Sequence, residues 1–173
     1  MSKQYNHPIN HMGLSVPNVE EALKWYTEVL GFVSLGPTIV EDRDVNPDTA
    51  VFRICPPGFN KLKVAYLTTG NGVGLELFEF LDPKMDPNLA SSFESGRDFR
   101  RGGIFHFAVT VPDVEAMAKK AEQHGGKRIA QTVRVFGEDG VYIQDPWGNG
   151  IEVISTSWEQ LLCNRSAGNL VVD

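Results

Sequence analysis

HMGLSVPNVEEALKWYTEVLG, from His11 to Gly31, and HFAVTVPDVEAMAKKAEQHGG, from His106 to Gly126, are one pattern written twice. They align without a gap at an offset of 95 positions, where His11, Val16, Pro17, Val19, Glu20, Lys24 and Gly31 each meet their own residue type. A repeat of this length makes the chain two copies of one structural unit, so it is read before any other feature. A second match lies downstream, where GVGLELF (Gly72–Phe78) meets GNGIEVI (Gly148–Ile154) at an offset of 76, placing Glu76 on Glu152. His11 and Glu76 lie 65 positions apart, and His106 and Glu152 lie 46 apart. The first copy therefore carries the longer middle, around residues 40–58 and the 62–69 strand.

Each copy opens with a strand and continues into a helix. His11, Gly13 and Ser15 share one strand face, and Met12, Leu14 and Val16 the other. Asn18 with Glu21 forms a capping pattern, and Val19, Ala22, Leu23, Tyr26 and Leu30 give the apolar stripe of a helix that Gly31 ends. In the second copy Asp113 caps, Val114, Met117, Ala118 and Ala121 form the stripe, and Gly125–Gly126 end it. The remaining runs predict strands at Ala50–Ile54, Lys61–Thr68 and Val73–Phe80, then at Ile129–Val135, Gly140–Gln144 and Gly150–Ser155. The fold class is α+β, two βαβββ modules in tandem. The expected divisions are a first module at 1–81, a linker rich in Pro, Ser, Gly and charge at 82–103, a second module at 104–156 and a tail at 157–173 with a short helix.

Composition narrows the function. The chain has 173 residues, is 42% hydrophobic and 22% charged, and carries a net charge of −6. No Lys/Arg run stands out, which argues against nucleic acid as a partner. No apolar stretch approaches a bilayer span. The opening MSKQYNHPIN has no apolar signal-peptide core, and the two cysteines follow no disulfide pattern. The expected address is the cytoplasm, and the expected partner is a small-molecule substrate.

Four polar side chains then stand where strands ordinarily bury apolar ones. His11 and His106 begin the first strand of each module, and Glu76 and Glu152 sit inside the last. The neighbours Leu75, Leu77, Ile151 and Val153 point to the opposite face. A desolvated carboxylate is costly unless it is paired or coordinated. Two imidazoles and two carboxylates brought together satisfy one divalent cation, and this donor set suits Zn, Ni, Co, Mn or Fe alike. Glu79 is a rival to Glu76, but the repeat favours Glu76 because Gly72 and Gly74 match Gly148 and Gly150.

The segments HMGLSVPNVEEALKWYTEVLGF, GLELFEF, GIFHFAVTVPDVEAMAKKAEQHGG and YIQDPWGNGIEVI resemble the vicinal oxygen chelate superfamily, over about residues 8–155. That group includes glyoxalase I, methylmalonyl-CoA epimerase, extradiol dioxygenases and fosfomycin or bleomycin resistance proteins. The resemblance implies two βαβββ modules cupped around one metal, with ligands at His11, Glu76, His106 and Glu152. It leans to glyoxalase I, because the epimerase pattern has glutamine where this chain has Glu76.

The implied reaction is proton transfer beside a carbonyl, an isomerase or lyase step. The metal acts as a Lewis acid, Glu152 as the base and Glu76 on the opposite face. Glutathione is not implied, because Ser15 stands where the family enzyme has arginine and Phe80 where it has asparagine. Phe78 and Phe80 point to an apolar or aromatic substrate surface, and Arg97, Arg100 and Arg101 to a grip on an anionic group. Tyr142 resembles a tyrosine of the extradiol enzymes, so an Fe or Mn dioxygenase is the alternative, and a metal-free drug-binding resistance protein is a third. Members of the group commonly pair as homodimers, and a homodimer is expected here.

Overall fold

A computed structural model describes residues 7–100 and 102–166. The chain divides into two compact units, Met1–Pro87 and Asn88–Asp173. Each carries a five-stranded sheet and its own helices, the tandem α+β arrangement expected.

The first unit runs β1 (His11–Ser15), α1 (Val19–Leu30), β2 (Val33–Ser34), β3 (Ile39–Asp42), α2 (Ala50–Ile54), β4 (Lys61–Thr68) and β5 (Gly74–Asp82). Its sheet order is β1-β5-β4-β2, and β3 also pairs with β4. Only β1 and β5 run parallel. The helix α1 begins where expected, because the Asn18 side chain accepts from the backbone N–H groups of Glu20 and Glu21 at 3.0 and 3.2 Å. It ends at Gly31 with φ 73°, a left-handed conformation that glycine adopts without strain. Val19, Ala22, Tyr26 and Val29 are buried, as are Leu75 and Leu77 on the sheet face behind them. Burying a valine or leucine side chain fully contributes about 1.5–3 kcal/mol.

A turn of 3-10 helix at Pro87–Leu89 lies at the boundary, and the second unit continues with α3 (Arg97–Arg100). It then repeats the pattern as β6 (His106–Thr110), α4 (Val114–Gln123), β7 (Lys127–Arg128), β8 (Val133–Val135), β9 (Glu138–Gln144), β10 (Gly150–Ile154) and α5 (Trp158–Ser166). Its sheet order is β6-β10-β9-β7, with β8 on β9. Asp113 accepts from the Ala116 N–H at 2.9 Å and caps α4. Ile151 and Val153 lie buried on the helix side, as Leu75 and Leu77 do in the first unit.

One predicted strand is a helix. Ala50–Ile54 folds as α2 rather than as an edge strand, and β2 and β3 take the edge instead. A five-residue apolar run fits either period. Here only Phe52 is buried while Ile54 is 82% exposed, so a single anchor suffices. The Arg43 guanidinium lies 4.5 Å from the Phe52 ring centroid and donates to the carbonyls of Phe59 and Phe52, which holds the loop. The other edge strand also breaks in two, β7 and β8, where one run over Ile129–Val135 is predicted. Among the described residues no helix is long and apolar enough to cross a membrane.

Candidate functional site

In the first module β1 and β5 place His11 opposite Gly74 and Gly13 opposite Glu76. His11 Nε2 lies 3.5 Å from Glu76 Oε2, with the two side chains 50% and 25% exposed. The other ring nitrogen, Nδ1, is 2.7 Å from Asn10 Oδ1. Donation from Nδ1–H to that amide oxygen leaves Nε2 with the lone pair, the arrangement that outer partners impose on metal-ligating histidines. A Cβ at position 74 would lie 3.2 Å from the His11 Cβ, so glycine there lets the imidazole lie against its neighbouring strand.

The second module repeats this register. His106 is opposite Gly150 and Ala108 opposite Glu152. His106 Nε2 lies 3.2 Å from Glu152 Oε2, with both side chains about one quarter exposed. The repeat reaches one strand further than the sequence reading took it. Tyr66 on β4 is opposite Glu76, and Tyr142 on β9 is opposite Glu152. The Tyr142 ring meets the His106 ring edge-on at 5.4 Å. Burial, then the Glu152 charge, push the Tyr142 phenol above its usual range. Burial and the charges of Glu76 and Glu41 do the same to Tyr66. Tyr66 escaped the sequence reading although it lies 76 positions before Tyr142, the offset that aligns the two glutamates.

The other candidates fall into different roles. Glu79 accepts from the Val19 N–H at 3.0 Å and lies 3.5 Å from Lys63, so it serves the N-terminus of α1 on the helix side of the sheet. Phe78 and Phe80 stack at 5.9 Å on the Glu76 face, and Phe59 meets Phe80 edge-on at 5.4 Å, forming an aromatic wall. Ser15 is exposed, its hydroxyl 3.5 Å from Met85 Sδ. Arg97 donates to the backbone carbonyls of Asn88 and Ala90, which ties down its own loop, and Arg100 is exposed. Arg101 lies outside the described residues.

Each module by itself gathers two donors, and among the described residues no third His, Cys, Asp or Glu joins either pair. Their spacing suits a shared cation. At metal–donor distances of about 2.0–2.2 Å and angles of about 90–110°, two ligands of one ion lie about 2.9–3.5 Å apart. The 3.5 and 3.2 Å separations fall in that range.

Comparisons with known proteins agree with this architecture. The 2-epi-5-epi-valiolone epimerase of an Actinomyces species is 28% identical over 153 residues, which is 85% of this chain and 78% of that protein. A glyoxalase family protein from Bacillus cereus shares the fold with a TM-score of 0.70 at 18% identity, over 89% of this chain and 97% of its own. Glyoxalase I from Zea mays matches with a TM-score of 0.57 at 21% identity, over 86% of this chain but 44% of its own. The family model of the Glyoxalase/Bleomycin resistance protein/Dioxygenase superfamily matches residues 8–153, and the chain belongs to that superfamily.

Proposed function

We propose that the chain is a divalent-metal-dependent isomerase that epimerises a small α-hydroxyketone by moving the proton on the carbon beside the carbonyl. The observation that carries this reading is the His–Glu pair repeated at one strand register in both modules. His11, Glu76, His106 and Glu152 are the proposed ligands of a single Zn, Ni or Co ion, with Fe or Mn as the alternative. When bound, such an ion polarises a substrate carbonyl and offsets negative charge developing on its oxygen.

The chain's own residues handle the proton. Glu152, ionised, is the proposed base that removes it, and Glu76, protonated from solvent, is the acid that delivers a proton to the opposite face, which inverts the centre; Glu152 then releases its proton to solvent. Tyr142, opposite Glu152 across the β9–β10 pair, is the proposed hydrogen-bond partner that orients that carboxylate. The wall of Phe59, Phe78 and Phe80 offers an apolar surface to the carbon face of the substrate and keeps water from part of the site. Similarity to an epimerase supports inversion over the lyase outcome. Ser15 and Phe80 supply neither the arginine nor the asparagine of the glutathione-linked pattern, which supports a substrate without glutathione.

The test is solvent exchange. Metal-loaded protein is incubated in D2O with the valiolone for which the Actinomyces relative is named, and with simpler α-hydroxyketones, and followed by proton NMR. Loss of the α-proton signal with appearance of the epimer is expected. Turnover without deuterium uptake, or full activity after metal removal, refutes the mechanism. A second reading, an Fe or Mn ring-cleaving dioxygenase, draws on Tyr142 lying edge-on to His106. Oxygen consumption with catechols would mark it.

A further inference from the structure

We propose that the first module receives the substrate, in a cleft at the Gly74 end of its sheet, where Asn10, Tyr66 and Thr68 recognise the hydroxyl groups of a neutral, polyhydroxylated ketone. This rests on the function proposed above and names its substrate class and its subsite.

The argument comes from comparing the two copies position by position. Their scaffolds agree in detail at this end. The Leu35 N–H donates to the Tyr66 carbonyl at 2.8 Å, and the Ile129 N–H donates to the Tyr142 carbonyl at 2.9 Å. Thr68 is opposite Gly74, and Gln144 is opposite Gly150. The histidine, tyrosine, glutamate and glycine are the same in both copies. What differs is the residue paired with the glycine, Thr68 against Gln144, and what lies over the glycine.

In the second module that place is filled. A Cβ built on Gly150 would lie 2.4 Å from Cδ2 of Phe93, so the ring sits directly on the glycine. Phe93 is 1% exposed and packs 5.2 Å from Tyr142 and 6.5 Å from Phe105 between ring centroids. Phe105 is the counterpart of Asn10 at the offset of 95. Aromatic carbon thus occupies the end of the sheet beside His106.

In the first module no ring of the described residues lies on the glycine; a Cβ on Gly74 would meet the His11 Cβ at 3.2 Å and the carbonyl oxygens of Leu67 and Asn10 at 3.7 and 3.8 Å. A cleft of about 330 Å³ lies against Gly74, beside His11 and Glu76, walled by Asn10, Leu35, Tyr66 and Thr68. This is the small end of the range for small-molecule sites, suited to a sugar-sized metabolite rather than to a long conjugate. Its polar groups suit hydroxyls. The Asn10 amide NH2 donates, and the Tyr66 and Thr68 hydroxyls each donate and accept. No Lys or Arg lines it among the described residues, and Glu76 adds negative charge, which selects against phosphate or carboxylate on the substrate.

The test uses zinc-loaded, 15N-labelled protein and scyllo-inosose, a polyhydroxylated cyclohexanone, as the probe. The largest amide shifts are expected at Asn10, Thr68, Gly72 and Gly74. Leu35→Trp, at a position 65% exposed, fills the cleft and is expected to raise the probe's Kd at least tenfold with zinc content unchanged. Thr68→Val, which keeps the shape and removes the hydroxyl, is expected to raise it three- to tenfold. Shifts centred instead on Phe93, Tyr142 and Gly150 overturn the placement while leaving the ketone reading in force. An unchanged Kd in both variants also overturns the placement. No shift anywhere at millimolar probe overturns the substrate class and the subsite together.

Discussion

A methyl group at position 150 measures how firmly the second module is filled. In Gly150→Ala the added carbon would lie 2.4, 2.7 and 2.8 Å from Cδ2, Cε2 and Cγ of Phe93. Carbon atoms pack at about 3.5–4.0 Å, so the ring must retreat by about 1 Å. It has little room, being buried between Phe99 at 4.9 Å and Tyr142 at 5.2 Å, with its backbone N–H on the Gly148 carbonyl. Overpacking of this kind costs about 1–3 kcal/mol. Full expulsion of the ring would cost about 3–5 kcal/mol, as for a Phe→Ala change, and sets the ceiling. The expected loss is about 2–4 kcal/mol, or roughly 4–16 °C in Tm for a chain of this size. Gly74→Ala is the internal control. Its Cβ is tight only against the His11 Cβ at 3.2 Å, with the Leu67 and Asn10 carbonyl oxygens at an ordinary 3.7 and 3.8 Å, and a shift of a few tenths of an ångström relieves it, so the cost stays under about 1 kcal/mol.

Urea unfolding followed by tryptophan fluorescence gives the numbers. The decisive step is the double variant. With Phe93→Ala the clash is gone, so Gly150→Ala becomes neutral or mildly stabilising, and the coupling between the two sites is about 2–4 kcal/mol. If Gly150→Ala costs as much in the Phe93→Ala background as in the parent, the ring does not fill this site. Equal costs at Gly74 and Gly150 would refute the contrast between the modules.

Four further outcomes are expected. Protein purified without added metal and then titrated takes up one equivalent of Zn, Ni or Co per chain, and His11→Ala and His106→Ala each abolish tight uptake; two equivalents, or uptake surviving both changes, would mean that the modules bind independently. Glu152→Gln and Glu76→Gln each slow solvent exchange at the substrate α-carbon by at least a hundredfold, the usual scale of general-base loss. Asn18→Ala removes the acceptor for two helix N–H groups and lowers stability by about 1 kcal/mol in urea unfolding. Glu115 is held down at about 2, first by its hydrogen bonds to Arg128 and then by Thr132. Because that folded value is depressed, its contribution is present above the usual carboxylate range and is lost as pH falls toward 2. Glu115→Gln should therefore flatten the acid limb of stability against pH.

The parts of the fold legible in the sequence are those that local chemistry decides. Asn18 and Asp113 start their helices because their side chains reach backbone N–H groups two or three residues on. Gly31 ends α1 because its φ is positive. The spacing of His11 to Glu76 and of His106 to Glu152 was legible because parallel pairing preserves the repeat. The parts that were not legible are decided by distant neighbours. Ala50–Ile54 could satisfy a strand or a helix, and a cation over Phe52 from Arg43 accompanies the helix. Phe93 lies in a stretch of Pro, Ser, Gly and charge whose composition reads as linker. Its burial depends on a glycine 57 positions later, which no local pattern announces.

A tandem repeat adds an inference that a single domain does not permit. Both copies keep the strand register, the His–Glu pair, the tyrosine opposite the glutamate and the glycine opposite the histidine. Agreement at those positions is what a common scaffold and a common donor set require. Positions where the copies disagree are released from that requirement and are available to distinguish one half from the other. Around the glycines the disagreement runs one way. Asn10 and a cleft face Phe105 and Phe93, a polar end against an aromatic and filled one. The subsite proposed above places hydroxyl recognition at the first; in the second, Gln144 Oε1 and His106 Nδ1 are buried without a hydrogen-bond partner among the described residues. The two carboxylates would then stand in different surroundings, Glu76 beside the cleft and Glu152 in the module that Phe93 fills. The epimerisation proposed above gives them different tasks, removal of a proton by Glu152 and delivery of one by Glu76.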